Sequence, residues 1–191
     1  MPKTTKKISA GADDGTATKV KANKSSATAK LNGPLPGKDA LEMLAADHRE
    51  VSDLFSQFET ASGDANKRDL ASAICVALKV HARLEEELFY PAVFSALKDK
   101  ALLEEAMIEH ASARDLIAQI EASAPGDAFY DARVKVLSEY VRHHVDEEEG
   151  EIFPQVRKSK MDIIALGALM GLRKQELMTG FLVSNPVLAL S

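Results

Sequence analysis

The sequence is poor in several features that mark common classes of protein. It has one cysteine, Cys75, among 191 residues, so no disulfide can form within the chain, as expected in a reducing compartment. Its most apolar stretch, residues 163–172, has ten residues, whereas a helix that crosses a bilayer needs roughly 20. The early lysines are followed by no apolar core of the kind that a secretory signal has. These absences predict a cytoplasmic protein without a membrane segment.

Charge is distributed unevenly along the chain. Residues 1–38 contain eight lysines and two aspartates and so carry +6, and the net charge of −5 therefore leaves −11 for residues 39–191. An acidic body is a poor surface for holding nucleic acid. The lysine-rich residues could contact nucleic acid or another polyanion, or they could act only as a solubilising tail. The sequence leaves both interpretations open.

Composition also divides the chain into three parts. Residues 1–37 have few large apolar side chains, cannot bury enough surface to offset the entropy of ordering, and are predicted to be a disordered tail. Residues 38–158 show a helical hydrophobic pattern without the alternation typical of strands. Residues 159–191 predict a fifth helix, at about 162–178, that packs on the bundle, followed by an apolar tail that wraps the core or mediates oligomerisation. Ser159 to Asp162 resemble a capping sequence for this helix. Gly167 and Gly171 would allow close approach to the bundle, and the predicted apolar face consists of Ile163, Leu166, Met170 and Leu177.

Four stretches of apolar residues at three-and-four spacing predict the main helices, at about residues 38–60, 66–97, 101–122 and 128–157. The connections are short, so successive helices are expected to run antiparallel in an all-α, up-down-up-down four-helix bundle. Pro91 and Pro154 lie late in the second and fourth helices, where each removes a backbone hydrogen bond and should bend or end the helix. Cys75 lies in an apolar run and is expected in the core.

Histidine is scarce, and four of the five histidines belong to a pattern that is written twice. The pattern is a leading histidine followed, at nearly the same interval in both copies, by His-x-x-x-Glu. Its members are His48, His81 and Glu85 in the first copy and His110, His144 and Glu148 in the second. Residues four apart on a helix lie on the same face. Each His-x-x-x-Glu pair therefore directs a nitrogen and an oxygen to one place.

These six side chains predict a site for two metal ions. All four histidines fall near the middle of their helices, so they should arrive at one level of the bundle. Two carboxylates buried there without a cation would each cost several kcal/mol. Imidazole ligands disfavour magnesium and calcium, and the lack of thiolates disfavours a structural zinc cage. Six donors suit two ions, iron or less often manganese, better than one tetrahedral ion.

An alternative interpretation is a set of surface histidines beside acidic runs, but the doubling of the pattern favours the metal site. The remaining histidine, His143, precedes His144 and should be exposed or support the site from outside. Tyr140, one turn before His144, could donate a hydrogen bond or act in redox chemistry, or could simply pack in the core. The glutamates beside the motif are expected to be charges on the outer face: Glu86, Glu87, Glu147 and Glu149.

The doubled motif, with Glu-Glu and a later Pro after each pair, resembles the hemerythrin-like HHE cation-binding family over about residues 38–158. The resemblance implies a four-helix bundle with a non-haem di-iron centre. It also implies that two glutamates bridge the irons and that two histidines are terminal ligands of each iron. By position, the resemblance implies that Glu85 and Glu148 bridge the two irons. His48 and His81 would then hold one iron, and His110 and His144 the other.

One position departs from the hemerythrins that carry oxygen, which resemble this chain but have two histidines a turn apart on the third helix. Here Ala106 and Arg114 lie four residues before and after His110. One iron should therefore keep an open position, which favours reaction with a small molecule over reversible oxygen carriage. We expect a cytosolic di-iron protein that binds or reacts with O2, peroxide or NO under oxidative or nitrosative stress. Two alternatives stay open: an iron or oxygen sensor or storage protein without turnover, and an iron donor for iron–sulfur cluster repair.

Overall fold

The computed structural model describes residues 38–98 and 100–184, and the ordered elements over these ranges are all helices. They are α1 (Ala40–Thr60), α2 (Asp64–Leu84), α3 (Tyr90–Ala96), α4 (Ala101–Glu121), α5 (Tyr130–Glu147), α6 (Phe153–Lys158) and α7 (Ile163–Ser184). Two π-helical segments, Glu85–Phe89 and Glu148–Ile152, join α2 to α3 and α5 to α6. The predicted all-α fold with a fifth, C-terminal helix is confirmed. The tail predicted for residues 1–37 and the last seven residues lie outside the described ranges.

Side-chain caps determine where α1 and α7 begin. Oδ1 of Asp39 accepts the N–H of Glu42 at 2.8 Å, and Oε2 of Glu42 accepts the N–H of Asp39 at 3.3 Å, which is a reciprocal capping box. At α7, Oδ1 of Asp162 accepts the N–H of Ala165 at 2.9 Å. The capping sequence predicted before the fifth helix therefore caps it through Asp162.

The two prolines coincide with the π-helical segments. In both, the residue before the proline donates its N–H to a carbonyl five residues earlier, that of Glu85 or Glu148. Pro91 and Pro154, which have no N–H to donate, then lie in the first turn of α3 and α6. The interruption that the prolines predict is thus a widened turn, and in each half of the chain it begins at a glutamate of the repeated pattern.

Within residues 38–98 and 100–184, the apolar core consists of two clusters. The first packs the start of α1 against α3, α6 and α7 and includes Leu44. The second packs the later part of α1 against the first half of α2 and parts of α4 and α5, and it includes Val51. His48 lies between these two residues along α1, so the predicted site separates the clusters. Cys75 is buried in the second cluster as predicted, and burial raises the pKa of its thiol to about 12.

Helix α7 packs on α1, α2 and the first π segment. Its predicted apolar face is confirmed at Leu166, Met170 and Leu177, which are buried, whereas Ile163 is half-buried. A β-carbon at Gly167 would lie 2.6 Å from the carbonyl oxygen of Lys38, so the close approach predicted there is confirmed. The close approach predicted at Gly171 is wrong, because a β-carbon there would meet no described atom within 4 Å. Over the described ranges, no helix combines the length and the apolarity that crossing a bilayer requires.

Candidate metal centre

The six side chains of the repeated pattern are buried in the middle of the bundle and lie close together. Nε2 of His48 lies 3.1 Å from Nε2 of His81, and Nε2 of His110 lies 3.4 Å from Nε2 of His144. The histidines therefore form two pairs, one from each half of the chain, as the repeat predicted.

The two glutamates lie between and beside these pairs. Oε1 of Glu85 is 3.1 Å from Nε2 of His81, and its Oε2 is 3.2 Å from Nε2 of His110, so one carboxylate faces both pairs. Oε2 of Glu148 is 3.3 Å from Nε2 of His48. The donor atoms form two groups, each with all its atoms within 4.8 Å of one another: His48, His81, Glu85 and Glu148, and Glu85, His110 and His144.

Three of the four imidazoles hydrogen-bond to a carboxylate through the nitrogen that points away from the centre. The Nδ1 partners are Glu149 for His48 at 2.7 Å, Glu86 for His110 at 3.0 Å, and Glu109 for His144 at 2.9 Å. A carboxylate accepts only, so each bond places the ring hydrogen on Nδ1. The unprotonated Nε2 of each ring then faces the centre, which is the arrangement typical of histidines that bind metals.

Two of these carboxylates, Glu86 and Glu149, were expected on the outer face. Glu149 is exposed as expected, whereas Glu86 is half-buried, which corrects its prediction. Both carboxylates also orient an imidazole, and each supports the leading histidine of the other half. Their signal was present in the sequence, because the interval between them equals the interval between the glutamates of the two ligand pairs. Asp47 and Glu109 directly precede the two leading histidines and were missed although they lie in the same repeat.

The imidazole of His81 is the exception. Oδ2 of Asp47 lies 3.7 Å from its Nδ1, which is too far for a hydrogen bond, and no other described residue bonds that buried nitrogen. Asp47 is itself buried, and its Oδ1 accepts a 2.6 Å hydrogen bond from Nζ of Lys174 on α7.

The tyrosine nearest the imidazoles is Tyr90. Its hydroxyl lies 3.5 Å from Nε2 of His110, and burial, with a further contribution from Glu85, raises the pKa of Tyr90 well above its ordinary value. Tyr140, the candidate suggested by the sequence, is 49% exposed and contributes only to the wall of a cavity. Phe153 occupies the position of Tyr90 in the second half, and its ring stacks on His48 with centroids 6.1 Å apart.

The centre contains more negative charge than its protein groups compensate. Burial raises the pKa of Glu148, and the charge of Glu85 raises it further. Burial also raises the pKa of Glu85, but His81 and then His110 outweigh it, and the pKa lies well below its ordinary value. Burial lowers the pKa of His81, yet the carboxylates around it raise it to about 10. The groups of the protein thus favour one ionised carboxylate and disfavour the second.

The carboxylate oxygens provide a direct test of whether a metal fits. All four oxygens of Glu85 and Glu148 are buried and receive no hydrogen bond from any residue in the described part of the chain. Buried carboxylates without a donor are costly unless a cation compensates them. Oxygen and imidazole nitrogen together form a donor set suited to iron or manganese. The residues present therefore fit the metal that the sequence predicted.

A cavity of about 590 Å³ opens onto all four histidines. Apolar side chains such as Val51, Leu78 and Ile117 contribute to its wall. Arg114, which takes one of the positions expected of a fifth histidine, also lines it and forms an ion pair with Glu86. A small molecule can therefore approach the imidazoles along a largely apolar path.

His143 lies outside this centre, as predicted. Its side chain is 62% exposed, and its Nε2 lies 3.6 Å from Glu109 and 3.4 Å from Glu147. Glu109 also accepts the hydrogen bond from His144, so it connects the exposed histidine with a buried one.

A helical bundle with four buried imidazoles facing two buried carboxylates that receive no hydrogen bond from the described residues belongs to the class of metal-binding helical proteins. The sequence model of the hemerythrin HHE cation-binding domain family matches residues 39–156, which is more than half of the chain. The chain belongs to this family, whose domain binds metal ions, typically iron. The predicted family is therefore confirmed.

Two known proteins are similar to this chain. A DNA nickase from Nostoc sp. is 28% identical over 118 residues, which cover 62% of this chain. The match covers 33% of the nickase, so this chain spans about one third of that relative's length. A crystal structure of a hemerythrin HHE cation-binding domain-containing protein from Mycobacterium kansasii matches with a TM-score of 0.67 and 21% identity, over 78% of this chain and 93% of that one. At this identity the second likeness supports the fold alone.

Proposed function

We propose that this protein is a cytosolic di-iron protein whose centre binds or reacts with O2, peroxide or NO. A first ion would be held by the His48–His81 pair and a second by the His110–His144 pair, with Glu85 between the two ions and Glu148 against the first. Manganese is the alternative metal. The proposal depends on one observation: four buried carboxylate oxygens receive no hydrogen bond from the described residues, and three of them lie 3.1–3.3 Å from imidazole nitrogens.

The surroundings of the centre support reaction with a small ligand. Iron would supply electron exchange with that ligand, and the protein contributes the path and the nearby proton. The cavity reaches the histidines past apolar walls, which suits O2, NO or peroxide better than a large polar substrate. The hydroxyl oxygen of Tyr90 lies 3.5 Å from Nε2 of His110, where the hydroxyl can donate a hydrogen bond to a ligand.

Metal analysis tests the binding part of the proposal. Protein purified with iron should contain about two ions per chain and absorb in the near ultraviolet, where metal-free protein does not. The Glu85→Ala, Glu148→Ala double variant should lose both signals because it removes all four buried carboxylate oxygens of the centre. Glu104→Ala with Glu105→Ala is the matched control, since it removes two exposed carboxylates from α4. Stoichiometric iron in the Glu85, Glu148 variant would contradict the proposed site.

Reactivity is a separate measurement. Iron-loaded protein is expected to consume peroxide or NO faster than the same concentration of free iron, and the Glu85, Glu148 double variant should not. An iron-loaded protein that consumes neither, and only changes its accessibility to protease with metal or oxidation state, would instead support a sensor or storage protein. Transfer of its iron to a cluster-free iron–sulfur protein would support the repair alternative.

The similarity to a DNA nickase supports a second candidate function. We propose as this candidate that the metal ions held by the six residues would activate water, which hydrolyses one phosphodiester bond of DNA bound by the lysine-rich residues 1–38, which carry +6. The −11 charge of the remaining chain opposes binding of DNA elsewhere. Iron-loaded protein should then relax supercoiled plasmid even with peroxide scavengers present. Replacing the lysines of residues 1–37 with glutamine should abolish the cleavage but leave the iron content unchanged, and cleavage that scavengers abolish would exclude this candidate.

A further inference from the structure

His81 differs from the other three imidazoles in how its outward nitrogen is supported. Glu109 directly precedes His110 and reaches Nδ1 of His144 at 2.9 Å. Asp47, which directly precedes His48, is the equivalent residue of the first half. Its side chain is one methylene shorter, and its Oδ2 stops 3.7 Å from Nδ1 of His81. A small movement of Asp47 would therefore decide whether His81 has a carboxylate partner.

The position of Asp47 is determined by a residue from outside the four-helix bundle. Its Oδ1 accepts a 2.6 Å hydrogen bond from Nζ of Lys174, which lies on α7. The side chain of Asp47 is 9% exposed and that of Lys174 is 31% exposed, so the ion pair is largely shielded from water. Lys174 is the lysine that compensates this buried carboxylate, and removing it would leave the charge of Asp47 with less compensation.

Other contacts hold α7 in the place that this ion pair needs. Gly167 lets α7 approach the backbone at Lys38. Arg173, next to Lys174, donates from Nε to Glu87 of the first π segment at 2.7 Å. The residues that match the family end at position 156, so this support comes from a helix that follows the matched domain.

We propose that Lys174 is a positioning residue of the metal centre. Through Asp47 it sets the orientation of the His81 imidazole and hence the affinity for the first ion, the one held by the His48–His81 pair. The inference rests on the proposed two-ion site. It assigns α7 a role in metal binding beyond its packing on the bundle.

The test measures the two ions separately, with Co²⁺ as the probe and a competing chelator to obtain the dissociation constants. A His144→Ala background removes a ligand from the second group, and a His48→Ala background removes one from the first. Lys174→Met should weaken Co²⁺ binding by about 10–100-fold in the His144→Ala background, the range found for residues that orient a ligand. In the His48→Ala background, Lys174→Met should change the Co²⁺ dissociation constant by less than about 2-fold. Distant substitutions that do not interact usually deviate from additivity by no more than this.

A double-mutant cycle shows whether Lys174 acts through Asp47. Asp47→Asn should weaken the first ion at least as much as Lys174→Met, and combining the two should add no further loss. Lys174→Arg keeps the positive charge and should recover most of the affinity. Lys79→Met is the matched control, because Lys79 bonds Glu121 at 2.6 Å in the wall of the same cavity without contacting a site residue.

Each outcome separates this inference from the proposed function. Unchanged affinity for both ions in Lys174→Met, or equal loss of both, would overturn the positioning role while leaving the two-ion site intact. Absence of stoichiometric metal in the unsubstituted protein would refute the proposed function itself. Circular dichroism and urea unfolding of every metal-free variant establish that a lost ion does not reflect a lost fold.

Discussion

The two halves of the metal centre have the same plan but differ in three places. In both, a leading histidine, a His-x-x-x-Glu pair and a π-helical turn follow in the same order. In both, the residue after the ligand-pair glutamate, Glu86 or Glu149, bonds the leading histidine of the opposite half. This exchange makes the halves interdependent, because neither can orient its own leading histidine.

The differences concern the two central glutamates, the carboxylate near the outward nitrogen of one imidazole in each half, and the aromatic residue beside an imidazole. Glu85 faces an imidazole of each pair, whereas Glu148 contacts His48. Glu109 hydrogen-bonds its imidazole directly, whereas Asp47 is held by Lys174 with its Oδ2 3.7 Å from Nδ1 of His81. The first half has Tyr90 where the second has Phe153, so a hydroxyl lies near one imidazole pair only. Binding of the first ion is therefore expected to depend more on residues outside the four-helix bundle. The second ion is expected to lie nearer a proton donor, the hydroxyl of Tyr90.

The largest expected effect is a difference in metal binding between variants of Glu85 and of Glu148. Glu85→Gln should remove both ions, because Glu85 belongs to both donor groups. Glu148→Gln should leave about one ion per chain, held by Glu85, His110 and His144. The affinity lost in Glu85→Gln should exceed about 100-fold, the upper end of the effect of an orienting residue. Metal analysis after dialysis, with circular dichroism to verify folding, makes the measurement.

Equal losses in the two variants would contradict this asymmetry. That result would mean that Glu148 also spans both ions once they are bound, as the family resemblance implies. The exposed Glu151 lies in the same π segment as Glu148, so Glu151→Gln controls for the loss of charge and should retain two ions.

A smaller effect should show that the halves support each other. Glu149→Gln replaces the charged acceptor for Nδ1 of His48 with a neutral amide oxygen, which bonds more weakly, and should weaken the first ion by about 10–100-fold. Glu109→Gln makes the same change to the acceptor for Nδ1 of His144 and should weaken the second ion by a similar factor. Titration with Co²⁺ and a competing chelator measures both constants. If Glu149→Gln weakened only the second ion, Glu149 of the second half would not support His48 of the first half.

The sequence predicted the fold and the six central residues because both depend on periodicity. Apolar spacing determines which face of a helix is buried, and the doubled histidine pattern places its members at one level of the bundle. The same register also contained Asp47, Glu86, Glu109 and Glu149, so the carboxylates around the imidazoles were predictable in principle. Glu86 and Glu149 were assigned to the outer face because acidic runs are usually solvated.

What the sequence could not reveal depends on distances between elements that are far apart in the chain. Asp47 and Lys174 are separated by 127 residues, and no local pattern connects them. Tyr140 lies one turn before His144, and Tyr90 lies five residues after Glu85. Only packing decides which of the two rings is buried. The widened turn before each proline likewise requires the backbone, since a proline alone predicts a bend or an end.

The smallest expected effect concerns how α7 is held against the first half, and two glycines make a matched pair. Gly167→Ala should destabilise the protein, because its β-carbon would lie 2.6 Å from the oxygen of Lys38 and 2.7 Å from the nitrogen of Ala40, both backbone atoms. Overpacking of this kind costs about 1–3 kcal/mol, which outweighs or offsets the gain in helix propensity of about 1 kcal/mol. Gly171→Ala meets open space and should stabilise by up to about 1 kcal/mol.

Urea unfolding of metal-free protein measures both changes without the contribution of bound metal. Opposite signs for the two glycines are expected, since the substitutions differ only in what the new methyl group meets. The Gly167→Ala variant should also weaken the first ion more than the second, because displacement of α7 moves Lys174 away from Asp47. A destabilised Gly167→Ala variant with both affinities unchanged would show that α7 contributes packing to the first half but no support to its metal.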